Sequence, residues 1–195
     1  MALEAETMEH ARAHGYPVPA VDSVSDDGTD LVMERIDGRS MLDEIQRRPW
    51  TIRRHGKELG RLHRELHDIP APDWLDDAPC GHGDRLLHLD LHPLNVLVTD
   101  RGPVVIDWTN ARRGNGDVDL ALSWVLIAAA EPETSRLVGT ILGWGRTQLV
   151  RGMLAGVDRV AVAAQLAGVV EWKVTDPNMS EVEQAAMHAL VQREV

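Results

Sequence analysis

The stretch of sequence that decides the fold runs from Leu86 to Trp108 and reads LLHLDLHPLNVLVTDRGPVVIDW. Its second half contains two apolar runs of strand length, residues 95–98 and 104–107, separated by a short polar segment. Gly102 ends that segment and suits the left-handed position that tight hairpin loops require. The pattern therefore predicts a β-hairpin.

The register of this hairpin decides which polar side chains meet at its open end. With a three-residue loop at residues 100–102, Val98 faces Val104 across the strands. In that register Asn95 lies directly opposite Asp107, with Cβ atoms about 5 Å apart. The sequence thus predicts a polar pair at the end of an apolar hairpin.

Two further polar residues, His88 and Asp90, lead into this hairpin through a loop that contains proline. The spacing H-x-D-x-x-x-x-N, followed by a strand that ends in Asp, predicts that His88, Asp90, Asn95 and Asp107 share one site. One carboxylate and one amide oxygen suit Mg²⁺, which completes its coordination with water and phosphate oxygens. A second carboxylate, held apart from the metal, can accept a proton from a hydroxyl group. These are the groups that phosphoryl transfer requires.

The same segment resembles the catalytic core of the aminoglycoside phosphotransferase family, a branch of the protein-kinase-like fold. That family has an H-G-D-x-x-x-x-N loop, then a hairpin, then I-D-W. The resemblance implies that Asp90 is the catalytic base, that Asn95 and Asp107 hold Mg²⁺, and that His88 serves catalysis by bracing the loop. Leu89 stands where the family has Gly, a departure that we expect to affect loop packing more than the functional groups.

The resemblance extends to the nucleotide-binding side of the site. Residues 30–38, DLVMERIDG, look like the last strand of the small N-terminal lobe (N-lobe) and the hinge that follows it. The backbone carbonyl of Glu34 and the backbone N–H of Ile36 would then read the purine edge of ATP or GTP. Glu4 matches the position of the family's N-lobe helix glutamate, with Glu6 as the alternative.

Downstream of the hairpin, residues 116–121 resemble the G-D-x-x-x-D-L-A opening of a family helix, shortened by one or two positions. The resemblance implies that Asp119 hydrogen-bonds the catalytic loop and takes no part in chemistry.

A rival zinc site is offered by His63 and His67, at i and i+4, together with a carboxylate and the later histidines His82, His88 and His92. His63 lies on an apolar helical stripe, however, which favours a core histidine.

Two features of such kinases are missing from this sequence. No Gly-rich loop precedes the first helix, and the only lysines, Lys57 and Lys173, are far downstream. Three explanations stay open: a chain that starts late, a minimal kinase, or an inactive relative. An N-lobe with two strands also leaves an open sheet edge, which predicts a homodimer or partner contact there.

The overall pattern predicts an α+β, protein-kinase-like fold, with a mostly helical C-terminal lobe (C-lobe) and a truncated N-lobe of one helix and a two-stranded hairpin. Residues 1–38 would form the N-lobe remnant and hinge, and residues 39–195 the C-lobe, with the acceptor region in residues 133–195. Predicted helices cover residues 3–14, a short segment capped by Ser40, a segment that Thr51 caps and that runs to about Asp68, and most of the chain after Asp117. Ser180 and Glu183 have the spacing of a capping box that opens the last helix. Predicted strands cover residues 18–25, 30–36, and parts of 86–107.

Composition restricts the functional class. A net charge of −11 argues against a nucleic-acid-binding protein and leans slightly towards a cationic acceptor. The longest apolar stretch, from residue 120 to 130, is too short to cross a membrane, and the single cysteine fits the cytoplasm.

We expect transfer of the γ-phosphoryl group of ATP or GTP to a hydroxyl of a small molecule. The alternative is a catalytically weak or inactive kinase-like module that binds nucleotide or a partner. Trp108 and Trp172 are candidates for stacking on a substrate.

Overall fold

A computed structural model describes residues 1–129, 136–177 and 179–195, without the side chains of residues 136–142. The described helices are α1 (Ala2–Ala13), α2 (Met41–Arg47), α3 (Ile52–His67), α4 (Gly116–Ala129), α5 (Arg136–Met153), α6 (Arg159–Lys173) and α7 (Glu181–Glu194). The described strands are β1 (Val21–Val24), β2 (Leu31–Met33), β3 (Arg39–Ser40), β4 (Arg85–Leu87), β5 (Val96–Thr99), β6 (Gly102–Val105) and β7 (Arg112–Gly114). The structure is therefore helix-rich with short strands, as predicted. Nowhere in these described ranges is a helix both long and apolar enough to cross a membrane.

The N-terminal part has the predicted helix and hairpin. Helix α1 ends at Ala13, two residues before Gly15, whose φ of +82° favours glycine. Strands β1 and β2 pair antiparallel, and Gly28 turns between them with a φ of +71°. Both strands are shorter than predicted because residues 18–20 and 34–36 lie outside the ladder.

The central hairpin forms, but its predicted register was wrong by one residue. Val98 pairs with Pro103, and Thr99 pairs with Gly102, so the loop between the strands has two residues. The Thr99 side chain closes this tighter turn: its Oγ1 donates to the Gly102 carbonyl (2.8 Å) and accepts from the Arg101 N–H (3.1 Å). Asn95 consequently lies opposite Ile106, whose N–H donates to the Asn95 carbonyl at 3.0 Å.

The other strands pair across long distances in the sequence. Strand β3 adds to β5, which gives a three-stranded sheet in the order β3-β5-β6. Strand β4 pairs with β7 in a separate two-stranded sheet. The expected β region at residues 86–107 therefore divides between two sheets, and β7 was not predicted.

Helix ends follow local side-chain chemistry in two of three predicted positions. Ser40 caps α2 by accepting the Asp43 N–H, and Ser180 and Glu183 form the predicted capping box of α7. Thr51 was expected to cap α3, but its hydroxyl donates to the Arg48 carbonyl instead and caps nothing.

Helices α3 and α5 approach closely enough for backbone to contact backbone. A Cβ atom at Gly56 would lie 2.4 Å from the Leu149 carbonyl oxygen, and one at Gly60 would lie 2.2 Å from that of Met153. Glycine is therefore required where the helices cross. Helix α4 is the most buried helix, with apolar side chains on all its faces, and it lies behind the loop that carries Asp90.

Candidate active site

Asp119 on α4 holds residues 88–95, the predicted catalytic loop, from behind. Its carboxylate is completely buried and accepts the backbone N–H groups of His88 (3.0 Å) and Leu89 (2.8 Å). His67 Nε2 lies 3.1 Å from the same carboxylate. Burial by itself raises the pKa of Asp119, but hydrogen bonds from His67 and the His88 backbone outweigh it, so the pKa is well below its ordinary value. Asp119 stays charged and fixes the loop, in the role that the resemblance implied.

Ser123, one helical turn after Asp119, holds the same loop at a second point. Its hydroxyl donates to the Leu91 carbonyl at 2.7 Å. Behind it, His63 Nε2 lies 2.9 Å from the Ser123 oxygen, and His63 Nδ1 lies 2.9 Å from the Leu59 carbonyl. Burial lowers the pKa of His63 to about 4. His63 is thus a core histidine of this chain, as its apolar stripe indicated.

Sequence reasoning assigned no role to Ser123. The signal was present, because Ser123 is a single polar residue in an apolar helix and lies four positions after Asp119. Residues at i and i+4 share a helix face. Both side chains therefore point at one loop.

The backbone of the candidate site is strained at two residues that are not glycine, one in the loop and one after β6. Leu89 has a φ of +56° and Asp107 a φ of +64°, both in the left-handed region. Such conformations cost free energy and occur mainly at functional sites. The family's glycine fits this geometry without strain, whereas Leu89 compensates by burying its side chain, which is 3% exposed.

His88 braces the loop against the end of the hairpin. Its side chain is fully buried, and its Nε2 lies 3.1 Å from the Ile106 carbonyl oxygen. Its ring packs against the Trp108 ring, with 4.8 Å between the ring centroids. Burial lowers the pKa of His88, so the neutral ring donates from Nε2. A ring with no exposed surface positions the loop and does not touch a substrate. Trp108, 1% exposed, is likewise core, so its predicted stacking on a substrate was wrong.

Asp90 is the half-buried carboxylate at the front of the loop. Its Oδ2 accepts from Asn95 Nδ2 at 3.2 Å, and its Oδ1 lies 3.5 Å from His92 Nε2. Burial raises the pKa of Asp90, and the Asp107 charge adds to that rise, while His92, His88 and Lys173 oppose it. Asp90 is therefore a stronger base than an ordinary exposed aspartate.

Asn95 and Asp107 have the chemistry of magnesium ligands. Asn95 Nδ2 donates to the Asp90 carbonyl (3.0 Å) as well as to its side chain. These two acceptors fix the amide group and leave Oδ1 for a cation. Asp107 is exposed, and its charge acts on Asp90, so the two carboxylates repel each other unless a cation screens them. Carboxylate and amide oxygens fit Mg²⁺. Within the described ranges, no three His, Cys, Asp or Glu side chains cluster in a way that could hold a metal.

Glu4 on α1 contacts the loop that carries Asp107. Its Oε1 accepts the Trp108 N–H at 3.3 Å, whereas Glu6 is exposed. The alternative at Glu6 is thereby disfavoured.

One of the two lysines, Lys173 at the end of α6, lowers the pKa of Asp90. Its position in the sequence, far downstream of Asp90, did not suggest that the two residues lie near each other. Its Nζ pairs with Asp176 Oδ2 at 2.9 Å.

The predicted hinge, residues 34–38, has no regular secondary structure. The Glu34 N–H donates to the Ala20 carbonyl at 2.7 Å, and its carboxylate accepts the Ala20 N–H at 3.3 Å. Among the described residues, neither the Glu34 carbonyl nor the Ile36 N–H has a hydrogen-bond partner. Both groups are therefore available to a ligand.

Comparisons with known proteins agree on the fold. Residues 74–153 match the model of the phosphotransferase enzyme family. A choline/ethanolamine kinase family protein from Mesorhizobium loti superposes with a TM-score of 0.60 at 15% identity, over 99% of this chain and 82% of that one. Amicoumacin kinase hAmiN, solved in complex with AMP-PNP, Ca²⁺ and Ami, superposes with a TM-score of 0.50 at 12% identity, over 98% of this chain and 75% of that one. None of the curated proteins matches the chain in sequence. The fold is thus the predicted protein-kinase-like α+β fold.

Proposed function

Because residues 74–153 relate this chain to the aminoglycoside phosphotransferase family, as its motifs predicted, we propose that it is a small-molecule kinase. It transfers the γ-phosphoryl group of ATP or GTP to a hydroxyl group. The observation that carries this proposal is the fixed loop: Asp119 and Ser123 hold its backbone, and Asn95 Nδ2 holds Asp90.

In the proposed reaction, the acceptor oxygen forms a bond to the γ-phosphorus. The bond between that phosphorus and the oxygen bridging to the β-phosphate breaks, and the nucleoside diphosphate leaves. Asp90 takes the hydroxyl proton, and its raised pKa favours this role. Asn95 Oδ1 and the Asp107 carboxylate would hold Mg²⁺. When bound, Mg²⁺ supplies positive charge against the phosphates.

The nucleotide base lies at the hinge in this proposal. The Glu34 carbonyl would accept from an exocyclic or ring N–H, and the Ile36 N–H would donate to a ring nitrogen or a carbonyl. A purine presents such an alternating edge, and both backbone groups lack partners among the described residues. Glu4 would hold the Asp107–Trp108 segment in place through the Trp108 N–H.

The second candidate is a kinase-like module that binds nucleotide or a partner without turnover. The observation that favours it is Glu4, which in this chain accepts a backbone N–H and has no lysine among its described contacts. Loss of a cationic clamp on the transferred group costs orders of magnitude in rate.

Two isosteric variants test the proposal by separating the roles of the carboxylates. Asp90→Asn should lower the turnover of MgATP or MgGTP at least about 10²-fold and leave nucleotide binding unchanged, because only the base is lost. Asp107→Asn should weaken Mg²⁺-dependent nucleotide binding, measured by calorimetry, and asparagine tolerates its positive φ. Exposed Asp26→Asn, in the β1–β2 turn, is the matched control. Unchanged turnover in Asp90→Asn would end the assignment, and binding without turnover in the parent protein would favour the second candidate.

We further propose that the chain forms a homodimer through the β1–β2 sheet. Both strands lack a second neighbour among the described strands, and Val32 in β2 is 52% exposed. Size-exclusion chromatography with light scattering should give a dimer that Val32→Lys converts to a monomer, because a charge on an edge strand opposes pairing. A monomer in the parent protein contradicts the proposal.

The division of the chain into an N-lobe remnant (residues 1–38) and a C-lobe (residues 39–195) stays a prediction. A cytoplasmic location also stays a prediction, and the single cysteine, Cys80, supports it. An acceptor region in residues 133–195 and a cationic acceptor stay predictions as well, and residues 133–135 lie outside the described residues.

A further inference from the structure

Helix α3 carries a row of basic residues on the side that faces away from its buried side chains. Positions three or four apart share a helix face, so the row is continuous. The row begins at Trp50, in the single 3-10 turn Pro49–Thr51 before α3, and we define the basic stripe as Trp50 with Arg53, Arg54, Lys57, Arg61 and Arg64. The five cations line an open groove of about 690 Å³, and Trp50 is 79% exposed.

Most of the positive charge of the basic stripe is not paired with an acid. Glu58 and Glu65, on the same helix, both pair with one cation, Arg61. Glu44, on α2, already pairs with two arginines outside the stripe. Among the described residues, the four other cations of the stripe have no ion pair with an acid. An anionic ligand would therefore find cations that are free to pair.

This unpaired charge is concentrated in the N-terminal half of the stripe. Asp68 and Asp117 line a neighbouring cavity at the C-terminal end of α3. At the other end, α5 passes the stripe at Gly152, where a Cβ atom would lie 2.9 Å from the Arg53 carbonyl oxygen and 3.0 Å from the Lys57 nitrogen. Helix α5 thus contributes a glycine and no acid at this point, and Arg53 and Lys57 are exposed.

The charge of the rest of the molecule decides which anion can approach. The chain carries −11 overall, so a membrane or a nucleic-acid duplex would meet acidic surface beyond the stripe. A ligand no longer than the stripe avoids this repulsion, because charges farther away than a Debye length of about 10 Å are screened. The helical rise makes the stripe about 21 Å long, which is roughly the length of six extended residues.

We propose that the basic stripe docks a short, extended acidic segment of a partner protein. Its carboxylates pair with the N-terminal cations of the stripe, where arginine can present two parallel donors to one carboxylate. An apolar side chain at the end of the segment packs on Trp50. No residue of the stripe belongs to the candidate active site, so docking leaves that site open.

The test is calorimetry at low salt with a capped peptide of six glutamates between two leucines. Its control has glutamine in place of each glutamate, and the glutamate peptide should bind at least about tenfold more tightly. Arg53→Gln combined with Lys57→Gln should weaken that binding by about tenfold, whereas Arg85→Gln combined with Arg193→Gln, which removes equal charge from exposed positions outside the stripe, should not. Trp50→Ala should weaken it by about two- to tenfold.

Four results would overturn the proposal. The first two are equal affinity for the two peptides and an equal loss of affinity in the two double variants. The others are tighter binding of hexathymidylate, or of phosphatidylserine vesicles at equal accessible charge, because either would assign the stripe to a phosphate-bearing partner. The titrations contain no nucleotide, so they can fail while the proposed kinase activity holds, and the reverse.

Discussion

At the scale of single residues, the catalytic loop combines strain with burial. Leu89 adopts a backbone conformation that favours glycine, and its side chain is buried among the core residues. The left-handed φ costs about 1–2 kcal/mol for a residue with a Cβ, whereas burial of a leucine side chain contributes roughly 1.5–3 kcal/mol. Burial is the larger of the two effects, which explains how leucine persists where the family has glycine.

This balance predicts an unusual order of stability at position 89. Leu89→Ala should cost about 3 kcal/mol, because it removes the buried side chain and keeps the strain. Leu89→Gly removes both the buried side chain and the backbone strain, so we expect the glycine variant to be about 1 kcal/mol more stable than the alanine variant. Urea unfolding measures the difference. The same pair of substitutions at Leu62, buried within helix α3, should give the opposite order, and an identical order at both positions would contradict the strain argument.

At the scale of the elements, the contact between α3 and α5 depends on glycine. Gly60→Ala should destabilise the protein by about 2–3 kcal/mol, because its Cβ would lie 2.2 Å from the Met153 carbonyl oxygen and the helices would have to separate. Gly143→Ala in α5 is the control: apart from its own helix backbone, no atom of the described residues would lie within 4 Å of its Cβ, so the gain in helix propensity should stabilise by about 0.5–1 kcal/mol. Thermal unfolding of both variants checks this, and a stable Gly60→Ala protein would contradict the close approach.

The elements also show which structure can be predicted from sequence. Local sequence patterns were sufficient to predict three features, because each depends on contacts between residues a few positions apart. These are the capping box of Ser180 and Glu183, the cap at Ser40, and the turn at residues 26–28. The register of β5 and β6 depended on the side chain of Thr99, which shortens the loop by one residue. The pairing of β4 with β7 joins residues 25 to 29 positions apart, from Leu87 with Arg112 to Arg85 with Gly114, and no local pattern encodes such a contact.

The site was predictable to a similar extent. Asp90, Asn95 and Asp107, to which we assign the proposed chemistry, stand in a spacing that the family resemblance identifies. Ser123 was missed because its role comes from α4, which only the folded chain brings to the loop.

At the scale of the whole molecule, stability should fall on acidification because of His63. Its folded pKa of about 4 is below the ordinary value of 6.5, so the unfolded chain binds more protons between these values. Stability is therefore complete above pH 6.5 and is lost progressively towards pH 4, by about 2 kcal/mol at pH 5. Unfolding free energies measured from pH 7.5 to 5 check this. His63→Gln should make the profile shallower, with buried His88 and Asp119 keeping part of the fall. Exposed His188→Gln should leave the slope unchanged, and a parallel profile for His63→Gln would contradict the prediction.

The attachment of the catalytic loop to α4 has a consequence for assays. Asp119 and Ser123 belong to a helix that is buried on every side, so the reactive geometry has no support apart from the folded interior. Catalysis and global folding would then be lost together on heating, with no temperature range in which an intact protein is inactive. Residual turnover after heat treatment would report directly on the surviving native fraction.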